Sequence, residues 1–480
     1  MSATFAQRMR SSPRGAARLG GSLFLLALVA QTPAALRAQG FGVYEQSTCA
    51  MGQGTAVVAM PCNDGSAVFF NPAAIGDHRG LTISGGATGI LAIGHFQADL
   101  TGAVTDMTRK LVPVPHAYVT YGFGDRFGVG VGFNTPWGLA TEWPQMSDAA
   151  FLGYKQTLRS FYLQPAASAR LTDAVSVGAG LTIVLSNVEL NQVLDLSTQL
   201  VPTTPGLPAG TTFGQLGIPF HTPFAAVHLK SSTATGVGAN FGLRARLTDR
   251  VSFGARYLTR VKLDYTGTAT FDPMSTGIIL PAGNPFGVPA GTPLDAVLQG
   301  AGLFQGPLAT QGVKTSVTMP DQLVLGIGVQ ATDRLRLEGD YYWTHWALFD
   351  SLPVDFQGGA GTETRLEEYG NTSGFRLGGQ LDLPSGWRAR LGYVYNEPAA
   401  PAQTVTPLLP EGKRSQFAGG VGWHVSRQLD LDLAYSFLLQ VDRRGRVQDP
   451  LPGQPPTTAL NSGLYGFKGH LMAATVTLHF

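Results

Sequence analysis

Five cations crowd one part of the chain: Arg244, Arg246, Arg256, Arg260 and Lys262. All sit at even positions, so in an extended strand they share one face. A cation on such a face can pair with a carboxylate head group, at roughly 1.5–3 kcal/mol for a charge-assisted hydrogen bond. The same side chains can instead pair with Asp264, Glu338 or Asp340 in a network of their own. Cys49 and Cys62 are the only two cysteines. A disulfide between them is the expected state past the inner membrane, worth roughly 3 kcal/mol in the chain-entropy model; two unpaired thiols are the alternative. Enzyme chemistry finds little support. There is no Gly-x-Ser-x-Gly elbow and no His-Glu-x-x-His. The nine histidines are dispersed, with His345 and His424 standing singly among aromatics. No catalytic residue, metal ligand or cofactor is assigned.

The elements that position these residues begin after a targeting segment. Arg8, Arg10, Arg14 and Arg18 precede the apolar run "LGGSLFLLALVA", and small residues follow. Residues 1–38 read as a signal peptide, since the run is too short to span a bilayer as a helix. Its removal takes five arginines and no acid, leaving 28 basic and 31 acidic residues, near −3 instead of +2. Nothing basic enough for nucleic acid remains. Gly is abundant (62) and charged residues are few (13%), which suits a sheet with one face turned to lipid.

From about Gly80 onward the pattern has period two. Val251, Phe253, Ala255, Tyr257, Val261, Leu263 and Tyr265 fall on one face, opposite Ser252, Gly254, Arg256, Arg260, Lys262 and Asp264. Leu258 and Thr259 break the rule. Leu429–Gln440 and Trp387–Asn396 alternate the same way. Alternation over such lengths means long strands. Short polar turns recur at 123–127, 171–175, 247–251, 331–335, 383–387 and 425–429. Longer irregular segments separate the hairpins, at about 96–111, 136–152, 196–227, 271–311, 351–370, 398–410 and 447–462. Six hairpins plus one strand at each end make 14. Short turns at one end and long loops at the other are the asymmetry of an outer-membrane barrel. The fold class is therefore all-β, a transmembrane antiparallel β-barrel of 14 strands over residues 80–480. The final "TVTLHF" resembles the signal read by the bacterial barrel-assembly machinery.

"GFGVYEQSTCAMGQGTAVVA" followed by "DGSAVFFNPAAI" resembles the N-terminal hatch of the FadL/TodX-type outer-membrane transporters of long-chain fatty acids and other hydrophobic compounds. So do the later blocks "GFNTPWGLATEW", "MPDQLVLGIGV" and "DYYWTHWALFDSL". The resemblance implies that residues 39–79 plug the lumen, with Asn71, Pro72 and Ala73 as the hatch motif. A lumen this wide cannot be filled by wall side chains alone. It implies that Phe41 borders a ligand pocket, in which Arg256, Arg260 or Lys262 could meet a head group. It implies a kinked third strand that opens the wall sideways, here Gly128, Gly130, Gly132 and Pro136. The charge-poor extracellular loops 196–227 and 271–311 are the expected capture surface. Expected partners are long-chain fatty acids or neutral hydrocarbons, the bilayer, and outer-leaflet lipopolysaccharide. A lipid hydrolase and a polar-solute porin are the competing readings.

Overall fold

A computed structural model describes residues 40–77, 79–124, 126–201, 207–358, 361–445 and 462–480. The expected signal peptide lies outside the described residues, as does most of the loop at 447–462. Among the described residues 18 of the 22 strand segments make up 14 wall strands, four of them interrupted once, and the other four are short extensions in the loops. β1 is Gly80–Ala98 and β2 Leu111–Phe123. β3 comes in two pieces, Phe127–Asn134 and Gly138–Glu142. β4 is Lys155–Arg170 and β5 Val175–Asp195. β6 (Pro223–Ser231, Ala234–Arg246), β7 (Val251–Leu258, Val261–Pro273) and β8 (Gln311–Met319, Gln322–Gln330) are each broken once. β9 to β11 are Leu335–Thr344, Thr372–Asp382 and Trp387–Asn396. β12 to β14 are Arg414–Ser426, Leu429–Gln440 and Gly463–His479. β14 pairs with β1 from Thr82↔His479 to Ala98↔Gly463, which closes the barrel.

All six short turns lie where the sequence places them. The stretch 351–370 does not behave as an irregular loop. Ser351–Phe356 pairs with Gly361–Leu366 and with β8, extending the wall outward. Beyond the lipid a strand needs no apolar face, so its charges hid it from a hydropathy reading.

The outer face is apolar. Val119, Val131, Phe241, Leu377, Leu391 and Leu433 are all exposed, Leu391 at 74%. A soluble monomer rarely carries such a belt, whereas lipid requires one. Trp387 and Trp423 stack on this face near the short turns, ring centres 5.2 Å apart. Tyr257, Tyr341, Tyr393 and Tyr435 mark its other edge, as interfacial aromatics do. Among the described residues no helix is long and apolar enough to cross a membrane. The inner face is polar: Asn240, Gln322, Arg376, Gln380, Arg390 and Asp432 are buried there.

One face assignment changes. Leu258 and Val261 are both buried, three residues apart. Thr259 and Arg260 are inserted between them outside the paired register, Thr259 keeping two bonds to Ala239 (2.9 and 2.8 Å), so the inward set switches from even to odd numbers. Lys262 and Asp264 consequently point outward, paired with each other at 3.0 Å, while Leu263 and Tyr265 face the lumen. The neighbours switch at the same level, with Met319 and Gln322 buried on either side of Pro320–Asp321. Asp321 holds the break by accepting from Tyr257 Oη (3.1 Å) and pairing with Arg260 (3.4 Å) and His345 (3.1 Å). The run 251–265 thus alternates on both sides of a slip that composition does not display.

This slip is open to a labelling test on intact cells. A membrane-impermeant maleimide should modify Lys262→Cys and Asp264→Cys quickly and Leu263→Cys slowly. Unbroken alternation from Tyr257 would make Leu263→Cys the fast site.

Candidate functional site: a lumenal cavity, an N-terminal segment and a break in the wall

Residues 40–77 lie inside the barrel and are nearly all buried. Little of this segment is regular: one short helix, Thr48–Gly52, a single turn, Ala67–Phe70, and a 3-10 helix, Pro72–Asp77. The Ala67–Phe70 turn stops where Pro72 forces Asn71 into an extended conformation. An irregular buried backbone must find hydrogen-bond partners outside itself. The wall supplies them. Glu338 accepts from the Ala59 and Met60 N–H groups at 2.5 and 3.0 Å. Asp340 accepts from Val57 and Val58 at 3.1 and 3.4 Å. Arg244 Nε donates to Ala59 O at 2.9 Å, and its guanidinium pairs with Asp77. Asn240 donates to Val68 O and Phe69 O at 3.0 Å each. Cys49 and Cys62 are disulfide-bonded, with Cα atoms 6.2 Å apart. Gly54 and Gly392 meet backbone to backbone, where an added Cβ on Gly392 would collide with Gly54.

The front of the segment is held differently. β2 and β3 pair only from Phe123↔Phe127 up to Ala117↔Phe133. Extending that register places Pro115 opposite Thr135 and Pro113 opposite Trp137. Neither proline has an amide hydrogen to offer. β3 breaks there, and the next described contacts between the two edges are Thr108 N to Glu142 O at 2.7 Å and the Lys110–Glu142 ion pair. Between these two levels the described residues show no hydrogen bond from β2 to β3, a gap in the ladder. The N-terminal segment takes the place of β2 along its β3 edge. Val43 N donates to Pro136 O (2.8 Å) and Gly138 N to Phe41 O (3.0 Å). The fully buried Gln46 completes the ladder with its side chain: Oε1 accepts from Thr135 N at 2.8 Å, and Nε2 donates to Thr135 O at 3.0 Å.

Above this latch lies a partly open cavity. Its lining is mostly apolar and includes Leu139, Leu158, Val188, Val317, Leu352 and Leu409. Phe41 also lines it, set edge-on against Trp346, Phe349 and Trp137 at 4.7, 5.6 and 6.2 Å. Its charged lining residues are Lys230, Arg365 and Glu367, the last two paired at 3.2 Å. The segment 397–413 covers part of the cavity, with Leu408 O accepting from Thr141 Oγ1 at 3.0 Å. Glu411 pins this cover by accepting from Ala399 and Ala400 N–H at 2.8 Å each. Burial pushes the Glu411 carboxyl up, against the opposing pull of Arg414.

The model of one family, described as outer membrane protein transport protein (OMPP1/FadL/TodX), matches residues 26–480. The chain belongs to this family. Outer membrane protein P1 of Haemophilus influenzae is 24% identical over 425 residues, covering 84% of this chain and 86% of that protein. The long-chain fatty acid transport protein of Escherichia coli K12 is 22% identical over 410 residues, covering 83% and 87%. Among solved structures, a Pseudomonas aeruginosa FadL homologue superposes with a TM-score of 0.73 at 19% identity, over 92% of this chain and all of that one. The Pseudomonas putida toluene transporter TodX gives 0.63 at 18%, over 92% and 99%. These likenesses show that this FadL/TodX-family chain shares their barrel fold.

Within this family member the residues singled out by sequence separate into distinct places. Phe41 lines the cavity. Asn71, Pro72 and Ala73 do not; Asn71 Nδ2 instead donates to Val58 O (2.7 Å) and Leu243 O (3.0 Å), tying the base of the segment to β6. Arg256 is buried beneath the segment, over the Phe69 ring at 4.1 Å and bonded to Asn240 and Gln322. Arg260 and Lys262 lie outside the cavity, because the slip in β7 turns them away from it. Gly128, Gly130 and Gly132 face the N-terminal segment rather than the gap: a Cβ on Gly130 would lie 2.9 Å from Val68 Cγ2, and one on Gly132 3.0 Å from Val68 Cγ1. Pro136 does sit in the break. Sequence reasoning missed Gln46, Arg365 and Glu367. It also missed Pro113 and Pro115, although two alternate prolines inside a strand are a readable sign of an unpaired edge.

The anchors of the base can be tested directly. Glu338→Gln with Asp340→Asn disturbs four carboxyl bonds to backbone, at about 1–3 kcal/mol for each group left unsatisfied. Amide exchange at Val57–Met60 should rise at least tenfold while the barrel unfolds at its usual temperature. Unchanged exchange would show that these carboxylates do not anchor the segment.

Proposed function

We propose that this protein is an outer-membrane channel for the uptake of hydrophobic compounds, most of all long-chain fatty acids. Cargo settles first on the loops, where Leu200 and Ile279 are exposed over a buried apolar cluster that includes Phe213, Leu280 and Leu294. It passes to the lumenal cavity and leaves sideways through the gap between β2 and β3 into the bilayer. One observation carries the reading. Phe41 belongs at once to the cavity lining and to the three residues that close β3 at the gap. A movement of Phe41–Val43 would join the two spaces, while the anchored base keeps ions out. Residues 39–79 are then the plug, and the Cys49–Cys62 bridge confines motion to the part before it. The cargo is moved and not chemically changed. In this reading the barrel-assembly machinery inserts the chain and lipopolysaccharide surrounds its loops.

Lys230 and Arg365 are the cations in the lining of this otherwise oily cavity, and an amphiphile with a carboxylate head requires one. The FadL relatives, named for long-chain fatty acid transport, agree with that choice. One observation favours neutral hydrocarbons as the second reading: Arg365 is already paired with Glu367. TodX is described as a toluene transporter.

Two measurements test these statements. Gly138→Cys lies beside Val43, whose Cγ2 would be 4.0 Å from the new Cβ. Oxidised together, Val43→Cys and Gly138→Cys should tie the latch shut and cut oleate uptake at least tenfold relative to either single variant. Normal uptake by the tied protein would reject the exit. Arg365→Met should weaken oleate binding about ten- to a hundredfold, the equivalent of one charge-assisted bond. It should leave toluene binding unchanged; equal losses for both would assign the cavity to neutral cargo.

A further inference from the structure

The contact between Gln46 and Thr135 is a two-point pair: a primary carboxamide offers one acceptor and one donor to a single residue's N–H and C=O. The wall has no replacement for it. The residue that the β2 register places opposite Thr135 is Pro115, which lacks an amide hydrogen. When Gln46 withdraws, Thr135 is left with a donor and an acceptor in a wall bordered by lipid, where unmet polar groups are costly. A carboxylic acid carries the same two functions as a carboxamide, a C=O that accepts and an O–H that donates. An ionised carboxylate carries only acceptors, so it would satisfy the Thr135 N–H and repel the Thr135 C=O. An ester or a hydrocarbon has no donor at all.

We propose that the main-chain N–H and C=O of Thr135 form a transit site for the protonated carboxyl group of a departing fatty acid, and that the Gln46 side chain is the resident stand-in which fills the site at rest. The inference rests on exit through the β2–β3 gap and adds the chemistry of the step. The carboxylate takes up a proton from water as it leaves Arg365 for the gap, since a low-dielectric wall favours the neutral form. Head-group exchange at Thr135 removes the penalty that would otherwise hold the latch closed. An acid therefore opens its own way out, and a neutral ester of the same length does not.

The test uses the full chain in lipid nanodiscs with 15N-labelled threonine and glutamine side-chain amides. Oleic acid should shift the Thr135 amide resonance and release the Gln46 NH2 signals to solvent-like positions. Methyl oleate should do neither, and acid should exit at least five times faster than ester. Gln46→Glu, which installs a carboxyl at the site, should hold Gly42–Ser47 protected from exchange at acid pH and release them as the side chain ionises. Gln46→Leu should leave them exchanging at least tenfold faster at both pH values. Equal shifts with acid and ester, or a pH-independent Gln46→Glu, would overturn the proposal while leaving the exit in place. If the Val43–Gly138 tether also fails to slow uptake, the exit itself falls, and the transit site with it.

Discussion

A buried backbone without regular structure has to borrow its hydrogen bonds. That constraint governs the lumen of this barrel. Fourteen strands enclose more space than their own side chains can fill, so a length of chain must enter it. The entering residues form only one short helix and two tight turns, and most of their N–H and C=O groups have no partner within the segment. The wall meets this need with charges. Glu338, Asp340 and Arg244 bind the backbone of residues 57–60, and Asn240 binds that of Val68 and Phe69. Glycines of the segment press against wall glycines, Gly52 on Gly420, Gly54 on Gly392 and Gly76 on Gly128. The polar inner face is thus a consequence of the stopper it holds.

The same need produces the opposite result at the front of the segment. There the wall gives up its own ladder: Pro113 and Pro115 strip β2 of donors and β3 breaks at Pro136. Main-chain atoms of Phe41 and Val43 and the Gln46 side chain supply what β2 does not. The base is held by the Arg244–Asp77 ion pair, the bonds of Glu338, Asp340 and Asn240 and a disulfide, and the front by a few main-chain and carboxamide hydrogen bonds and the aromatic contacts of Phe41. Neutral bonds contribute roughly half as much as charge-assisted ones. Those partners divide the segment into a more strongly and a less strongly held part.

The barrel was legible in the sequence because a lipid-facing strand leaves a strict period-two trace, and short turns carry Asp, Gly and Ser at readable places. The β7 slip was not legible. Val261 and Lys262 exchange faces through two inserted residues, Thr259 and Arg260, and either face assignment leaves apolar residues on one side. The slip turns Arg260 and Lys262 away from the cavity, because their inward placement depended on parity; Arg256, before the slip, keeps its inward face. Arg365 and Glu367 were hidden inside a segment read as a loop. Phe41 came from family likeness, as did the kinked third strand, but the glycines of that strand answer to Val68 and the backbone of Ile75 and Gly76 rather than to a hole. Gln46 gave no signal at all: a glutamine that replaces a strand can only be seen once the missing strand is.

The central claim is that residues 41–46 complete the wall and move, while residues 57–60 stay. Hydrogen–deuterium exchange of the whole protein in nanodiscs, with and without oleic acid, reads this most directly. The account predicts that cargo speeds exchange of Gly42–Ser47 and of Thr135–Gly138 together, leaving Val57–Met60 protected. Exchange that rises first at Val57–Met60, or rises in the front without Thr135–Gly138, would contradict it.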